Sequence, residues 1–74
     1  MPANFRLSGS LKDVTGGQDR YTVESNRTVR ETLVSLGIEP LTIALVVVNK
    51  VHENKDYLIR DGDEILVMAV IGGG

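Results

Sequence analysis

The sequence predicts one α+β domain in which a single amphipathic helix packs across one face of a mixed sheet of four or five strands. Three observations predict it: period-2 apolar alternation near the N-terminus, one capped helical stripe over residues 28–36, and two strongly apolar runs, 41–48 and 65–71.

Phe5, Leu7 and Leu11 alternate, with Gly9 in the remaining slot, which is the pattern of a half-buried strand. Residues 12–19 then read as a loop, because Gly16 and Gly17 make positive φ easy and offer nothing to bury. Tyr21 and Val23 alternate again and make residues 20–24 a hairpin partner for the first strand.

Thr28 with Glu31 three residues on forms a capping box, the Thr hydroxyl accepting from the Glu31 amide and the Glu carboxylate accepting from the Thr28 amide. Val29, Leu33 and Leu36 fall at i, i+4 and i+7, one apolar stripe. Gly37 stands where a left-handed C′ residue belongs, Ile38 can fold back on Leu33, and Pro40 prevents continuation.

Residues 44–48 are continuously apolar and mostly β-branched, bounded by Pro40 and Asn49-Lys50, which is how a strand buried on both faces reads. Residues 51–56 are polar, a hairpin or an irregular edge, and 57–59 are a short strand or a turn. Asp61-Gly62-Asp63 signals a turn before a final strand with apolar residues on both faces. The chain thus divides into one domain, residues 1–71, and a flexible glycine tail, 72–74.

Composition narrows the function. A chain of 74 residues with 42% hydrophobic content has room for one small core. Such a core supports only a few kcal/mol of net stability, which argues against a deep catalytic cleft. The formal charge is -2, and Arg6, Arg20, Arg27, Arg30 and Arg60 are scattered among acids, so no basic stripe exists to follow a phosphate backbone and nucleic acid is not the expected partner. The sequence contains no cysteine, which removes disulfides, thiolate catalysis and thiolate metal sites. The apolar runs are too short for a bilayer. The expectation is a soluble, cytoplasmic protein that does not engage membranes.

Taken together, the capped helix followed by Leu36-Gly37-Ile38, the strand end Val46-Val47-Val48-Asn49, the turn Asp61-Gly62-Asp63-Glu64 and the terminal Gly73-Gly74 resemble the ubiquitin-like β-grasp superfamily. Within it the chain is most similar to the small sulfur carriers, the small subunit of molybdopterin synthase and the thiamine-pathway carrier. The resemblance implies that an ATP-dependent adenylating enzyme activates the Gly74 carboxylate. A sulfur donor then converts the adenylate to a thiocarboxylate, and a sulfur-acceptor synthase consumes the sulfur for molybdopterin, thiamine or tRNA thiolation. It implies no permanently bound cofactor, only the C-terminal adenylate and thiocarboxylate as covalent intermediates. Gly73 is the penultimate glycine of that pattern, and Gly72 departs from it, since relatives commonly carry a side chain there.

The chemistry explains the residue types. A carboxylate is a poor electrophile and needs activation inside a closed, water-poor site. Glycine has no Cβ, so the tail can pass close to a nucleotide, and three extended residues reach about 10 Å. If Ile65 and Val67 face the helix, alternation turns Leu66, Met68 and Val70 to the opposite face, beside the tail. With Gly72 they form the expected partner-docking set; the bland alternative is a strand covered by loops or by a second copy.

Other features carry less. His52 reads as a solvated loop histidine, and Asp61, Asp63 and Glu64 lack calcium-loop spacing and read as turn chemistry, so no metal site is expected. No nucleophile, base and orienting group combine into a catalytic set, so the chain is expected to be a carrier and not an enzyme. The rival reading is a ubiquitin-like modifier joined through Gly74 to lysines of target proteins, because an amine can attack the same activated carboxylate. A third is a plain interaction module that ignores its tail.

Overall fold

A computed structural model of the chain describes residues 2–8 and 17–69. Gly9, Leu11, Gly16 and residues 70–74 lie outside them. Five strands, β1 (Ala3–Leu7), β2 (Arg20–Val23), β3 (Ile43–Val48), β4 (Val51–Glu53) and β5 (Glu64–Ala69), form one sheet of order β2-β1-β5-β3-β4. β1 and β5 run parallel, and the other neighbours are antiparallel. The helix α1 (Val29–Ser35) crosses one face, and a 3₁₀ turn (Pro40–Thr42) leads into β3.

The first two strands form where alternation predicts them. Ala3, Phe5 and Leu7 are buried, and β2 pairs with β1 as the expected hairpin partner, Tyr21 opposite Phe5 and Val23 opposite Ala3. The helix begins with both halves of the capping box made: the Glu31 amide donates to Thr28 Oγ1 at 3.1 Å and the Thr28 amide to Glu31 Oε1 at 2.9 Å. The bond from the Thr28 backbone, with a smaller one from its side chain, holds the Glu31 carboxyl below its usual range. The two remaining first-turn amides are satisfied by a neighbouring segment, Val29 donating to the Tyr57 carbonyl at 3.0 Å and Arg30 to that of Lys55 at 2.8 Å.

At the other end Gly37 takes φ 80°, with the Ile38 amide on the Leu33 carbonyl at 2.9 Å and the Gly37 amide on that of Val34 at 3.0 Å. This is a Schellman motif, and Ile38 and Leu33 are both buried. Thr32 is also buried, between apolar positions of the stripe; its hydroxyl donates to the Thr28 carbonyl at 3.0 Å, which lets a polar residue face the core.

Two expectations change. β3 is not buried on both faces: Ile43, Val46 and Val48 are buried, Leu45 and Val47 are half-buried, and Ala44 is exposed. One helix covers one face only. The spacing between Ile43 and Val46 follows from a bulge, since Ile43 pairs with Ala69 and Leu45 with Met68, leaving Ala44 as the extra residue. His52, expected in a loop, lies in β4, which the two-residue turn Asn49-Lys50 joins to β3. Their φ values of 51° and 70° suit the twist of a hairpin.

Residues 57–59, open between strand and turn, pass alongside the helix entry. Thr28 and Leu58 form an isolated bridge, and Ile59 exchanges bonds of 2.8 Å with Asn26 and Arg27 while its side chain is fully buried. Ile59 joins Phe5, Leu33, Val46, Ile65 and Val67 in the core between sheet and helix. Among the described residues no helix is long and apolar enough to cross a membrane.

Candidate functional site

The strand that leads to the terminal glycines starts from an anchored turn. Asp63, 5% exposed, accepts from the Arg60 amide at 2.9 Å, the Tyr57 hydroxyl at 2.7 Å and the Asn49 side-chain amide at 2.9 Å. Burial pushes its carboxyl upward, but those three bonds and the Arg60 guanidinium together outweigh burial and hold it below the usual range. The same bond raises the Tyr57 phenol above its ordinary value. Gly62, at φ 81°, makes the tight turn, and Asn49 Oδ1 accepts from the Glu64 amide at 2.9 Å while the Asn49 amide donates to the Glu64 carbonyl at 2.8 Å. β5 is therefore fixed in register at its first residue.

Register decides what β5 displays, because a slip of one residue would exchange its faces. Ile65 and Val67 point to the helix, 1% and 0% exposed, and Leu66 and Met68 lie half-buried on the outer face. Pairing across the sheet sets Arg20, Arg6, Leu66, Val47 and His52 in one row on that face. Leu45 stands beside Met68. A shallow depression of about 410 Å³ opens there, with Val47 and Leu66 at its base and Arg6, Lys50 and Glu64 around it.

Of the residues expected to dock a partner, the structure thus places Leu66 and Met68 together on the face of the sheet opposite the helix, half-buried. Val70 and Gly72, with the modification positions Gly73 and Gly74, lie outside the described residues. Sequence reasoning missed Leu45, Val47, Arg6 and Arg20 as members of this face. The apolar run of β3 was the available signal for the first two. The arginines, fourteen positions apart and scattered in the sequence, meet only through strand pairing.

The other candidates resolve into structure. Asp63 is an anchor of the turn, and among the described residues no group of three His, Cys, Asp or Glu side chains is placed to hold a metal ion.

Comparison with known proteins adds the family. No curated protein matches the sequence. Solved structures with the same fold include the small archaeal modifier protein 1 of Methanosarcina acetivorans, at 16% identity and TM-score 0.72, covering 99% of this chain and 96% of that one. Urm1 of Trypanosoma brucei aligns at 15% identity and TM-score 0.71, over 99% and 95%. A chain of the complex of subunits 1 and 2 of the Helicobacter pylori molybdopterin-converting factor aligns at 20% identity and TM-score 0.64, over the whole of both chains. These likenesses identify the architecture as the ubiquitin-like β-grasp expected from the sequence. The model of the ThiS family matches residues 5–74, nearly the full length, and the chain therefore belongs to the ThiS family of small ubiquitin-like carrier proteins.

Proposed function

We propose that the protein carries sulfur on the carboxyl group of Gly74. The carboxylate oxygen attacks the α-phosphorus of ATP in a separate adenylating enzyme, releasing pyrophosphate and leaving an acyl-adenylate. Hydrosulfide delivered by the sulfur donor then attacks the carbonyl carbon, the C–O bond to AMP breaks and AMP departs, a proton is lost, and the product is a thiocarboxylate that a cytoplasmic acceptor synthase uses. The observation that carries this reading is the family match, which runs through the terminal glycines to residue 74.

The physical arrangement supports it. Glycines at 72–74 let the chain end enter a narrow, water-poor site. Leu66 and Met68 supply apolar contact area on β5, the strand that leads to the tail, and with Val70 and Gly72 make up the proposed docking set. The H. pylori neighbour is part of a two-subunit converting factor, which favours a synthase large subunit as acceptor and molybdopterin as the destination over thiamine.

The test is the intact mass of the full chain after incubation with its adenylating enzyme, ATP and a sulfur donor. A gain equal to the replacement of oxygen by sulfur is expected. An unchanged mass, with an enzyme shown to be active by pyrophosphate release on this chain, contradicts the proposal.

A second reading has its own support in the M. acetivorans neighbour, which is a modifier protein. If an amine attacks the adenylate, Gly74 becomes joined to lysines of other proteins. Arg60 is the last basic residue, so tryptic digestion would leave residues 61–74 on the modified lysine, and that branched peptide is the signature to seek.

A further inference from the structure

The outer face of the sheet carries an electrostatic conflict. Arg6 and Arg20 are directly opposite each other across the β1–β2 ladder, and both are exposed. Phe5 and Leu7 are buried, so Arg6 points away from the helix, and a residue opposite it in an antiparallel pair points the same way. Like charges in that relation destabilise a sheet. The ion pairs found among the described residues, Arg27–Glu24 at 3.5 Å and Arg30–Asp56 at 3.1 Å, neutralise other arginines. Glu64 shares the face, two residues along β5 from Leu66 and opposite Asn4, and makes no ion pair with either arginine among the described residues.

In a chain of net charge -2 two arginines thus stand side by side, with Glu64 lining the same depression but no ion pair to either among the described residues, an arrangement that costs stability at that spot. Next to the pair on the same row come Leu66 and Val47, half-buried on the face opposite the helix. Strands stand about 4.8 Å apart, so the centre of the cation pair lies about 10 Å from the centre of the apolar pair, within the span of four extended residues.

We infer that Arg6 and Arg20, together with Leu66 and Val47, form a binding surface for an acidic-then-apolar segment of a partner protein. One or two carboxylates engage the guanidinium pair, and an adjoining aliphatic side chain covers Leu66 and Val47. The inference extends the docking face of the carrier reading to its charged flank. Its test uses no adenylating enzyme, so failure here leaves the carrier chemistry untouched and failure there leaves this surface standing.

The experiment is an amide chemical-shift titration of the full chain with the peptide acetyl-Glu-Asp-Leu-Leu-amide, against acetyl-Lys-Lys-Leu-Leu-amide and inorganic phosphate. The acidic peptide should shift the amides of Arg6, Arg20, Val47 and Leu66, and the basic peptide should not. Arg20→Glu should weaken binding about tenfold or more. The same substitution should raise Tm, because an opposite-charge pair replaces a repulsive one. That opposition of binding and stability is a readout that a merely structural arginine would not give. The inference is overturned if the acidic peptide at millimolar concentration shifts nothing on this face, or if phosphate reproduces its shifts. It is also overturned if Arg20→Glu lowers Tm or leaves binding intact.

Discussion

The Tyr57 hydroxyl donates a 2.7 Å hydrogen bond to Oδ2 of Asp63, tying the segment that caps the helix to the turn that launches β5. The two residues lie six apart in sequence, yet the bond links the two halves of the core, because Tyr57 also accepts from the Val29 amide through its carbonyl. Removing the phenol oxygen with Tyr57→Phe should cost about 1–2 kcal/mol, and Asp63→Asn about 1–3 kcal/mol, since each leaves a buried polar group short of a partner. Urea unfolding of both variants and of the double variant should show a combined loss smaller than the sum.

Stability should depend on pH through the same carboxylate. Its folded pKa is depressed, so its contribution is fully present above the unfolded value of about 3.9 and is lost as pH falls through the folded value. The stability gap between the natural protein and Asp63→Asn should therefore be constant from neutral pH to about pH 5 and narrow below that. Urea midpoints measured from pH 7 to strong acid check it, and a gap that widens in acid would contradict the assignment.

The helix ends give a matched pair of predictions. Gly37→Ala should destabilise by about 1–2 kcal/mol, because φ is 80° and an added Cβ meets nothing within 4 Å, so the loss is backbone strain alone. Thr28→Ala should cost about 1 kcal/mol through the lost cap. Thermal unfolding of the two variants reads both.

The opposite sign is expected at Lys50. This lysine holds φ 70° in the β3–β4 turn, where glycine is the residue without a Cβ penalty. Lys50→Gly should relieve about 1–2 kcal/mol of strain and return about 0.4–1 kcal/mol through a looser unfolded chain, for a net gain of up to about 1.6 kcal/mol. A rise in Tm with an unchanged urea slope is the expected result.

What the sequence disclosed follows from how local each signal is. The helix was readable to its caps because Thr28, Glu31, Gly37 and Ile38 act within a few residues of one another. β1 and β2 were readable because alternation reports one covered face, and β5 was readable as a strand from its apolar run after the Asp61-Gly62-Asp63 turn, while which of its faces meets the helix came only with the fold. β3 was misread, since a run without polar residues carries no sign of which side is covered, and the bulge at Ala44 breaks the period besides. Thr32 escaped notice because its core position depends on a bond back to the Thr28 carbonyl. The Asn49–Asp63 contact and the Arg6–Arg20 pairing each join residues fourteen positions apart, and the Tyr57–Asp63 bond closes an irregular turn with no periodicity to announce it, so only the fold brings them together.

The central claim concerns the chain end, and top-down mass spectrometry tests it most directly. Full-length protein and a semisynthetic copy ending in a Gly74 carboxamide are each treated with the adenylating enzyme, ATP and a sulfur donor. The account predicts a sulfur-for-oxygen mass gain confined to fragments containing Gly74 in the natural chain and no gain in the carboxamide. A gain that maps to any other residue, or that is equal in both chains, would contradict it.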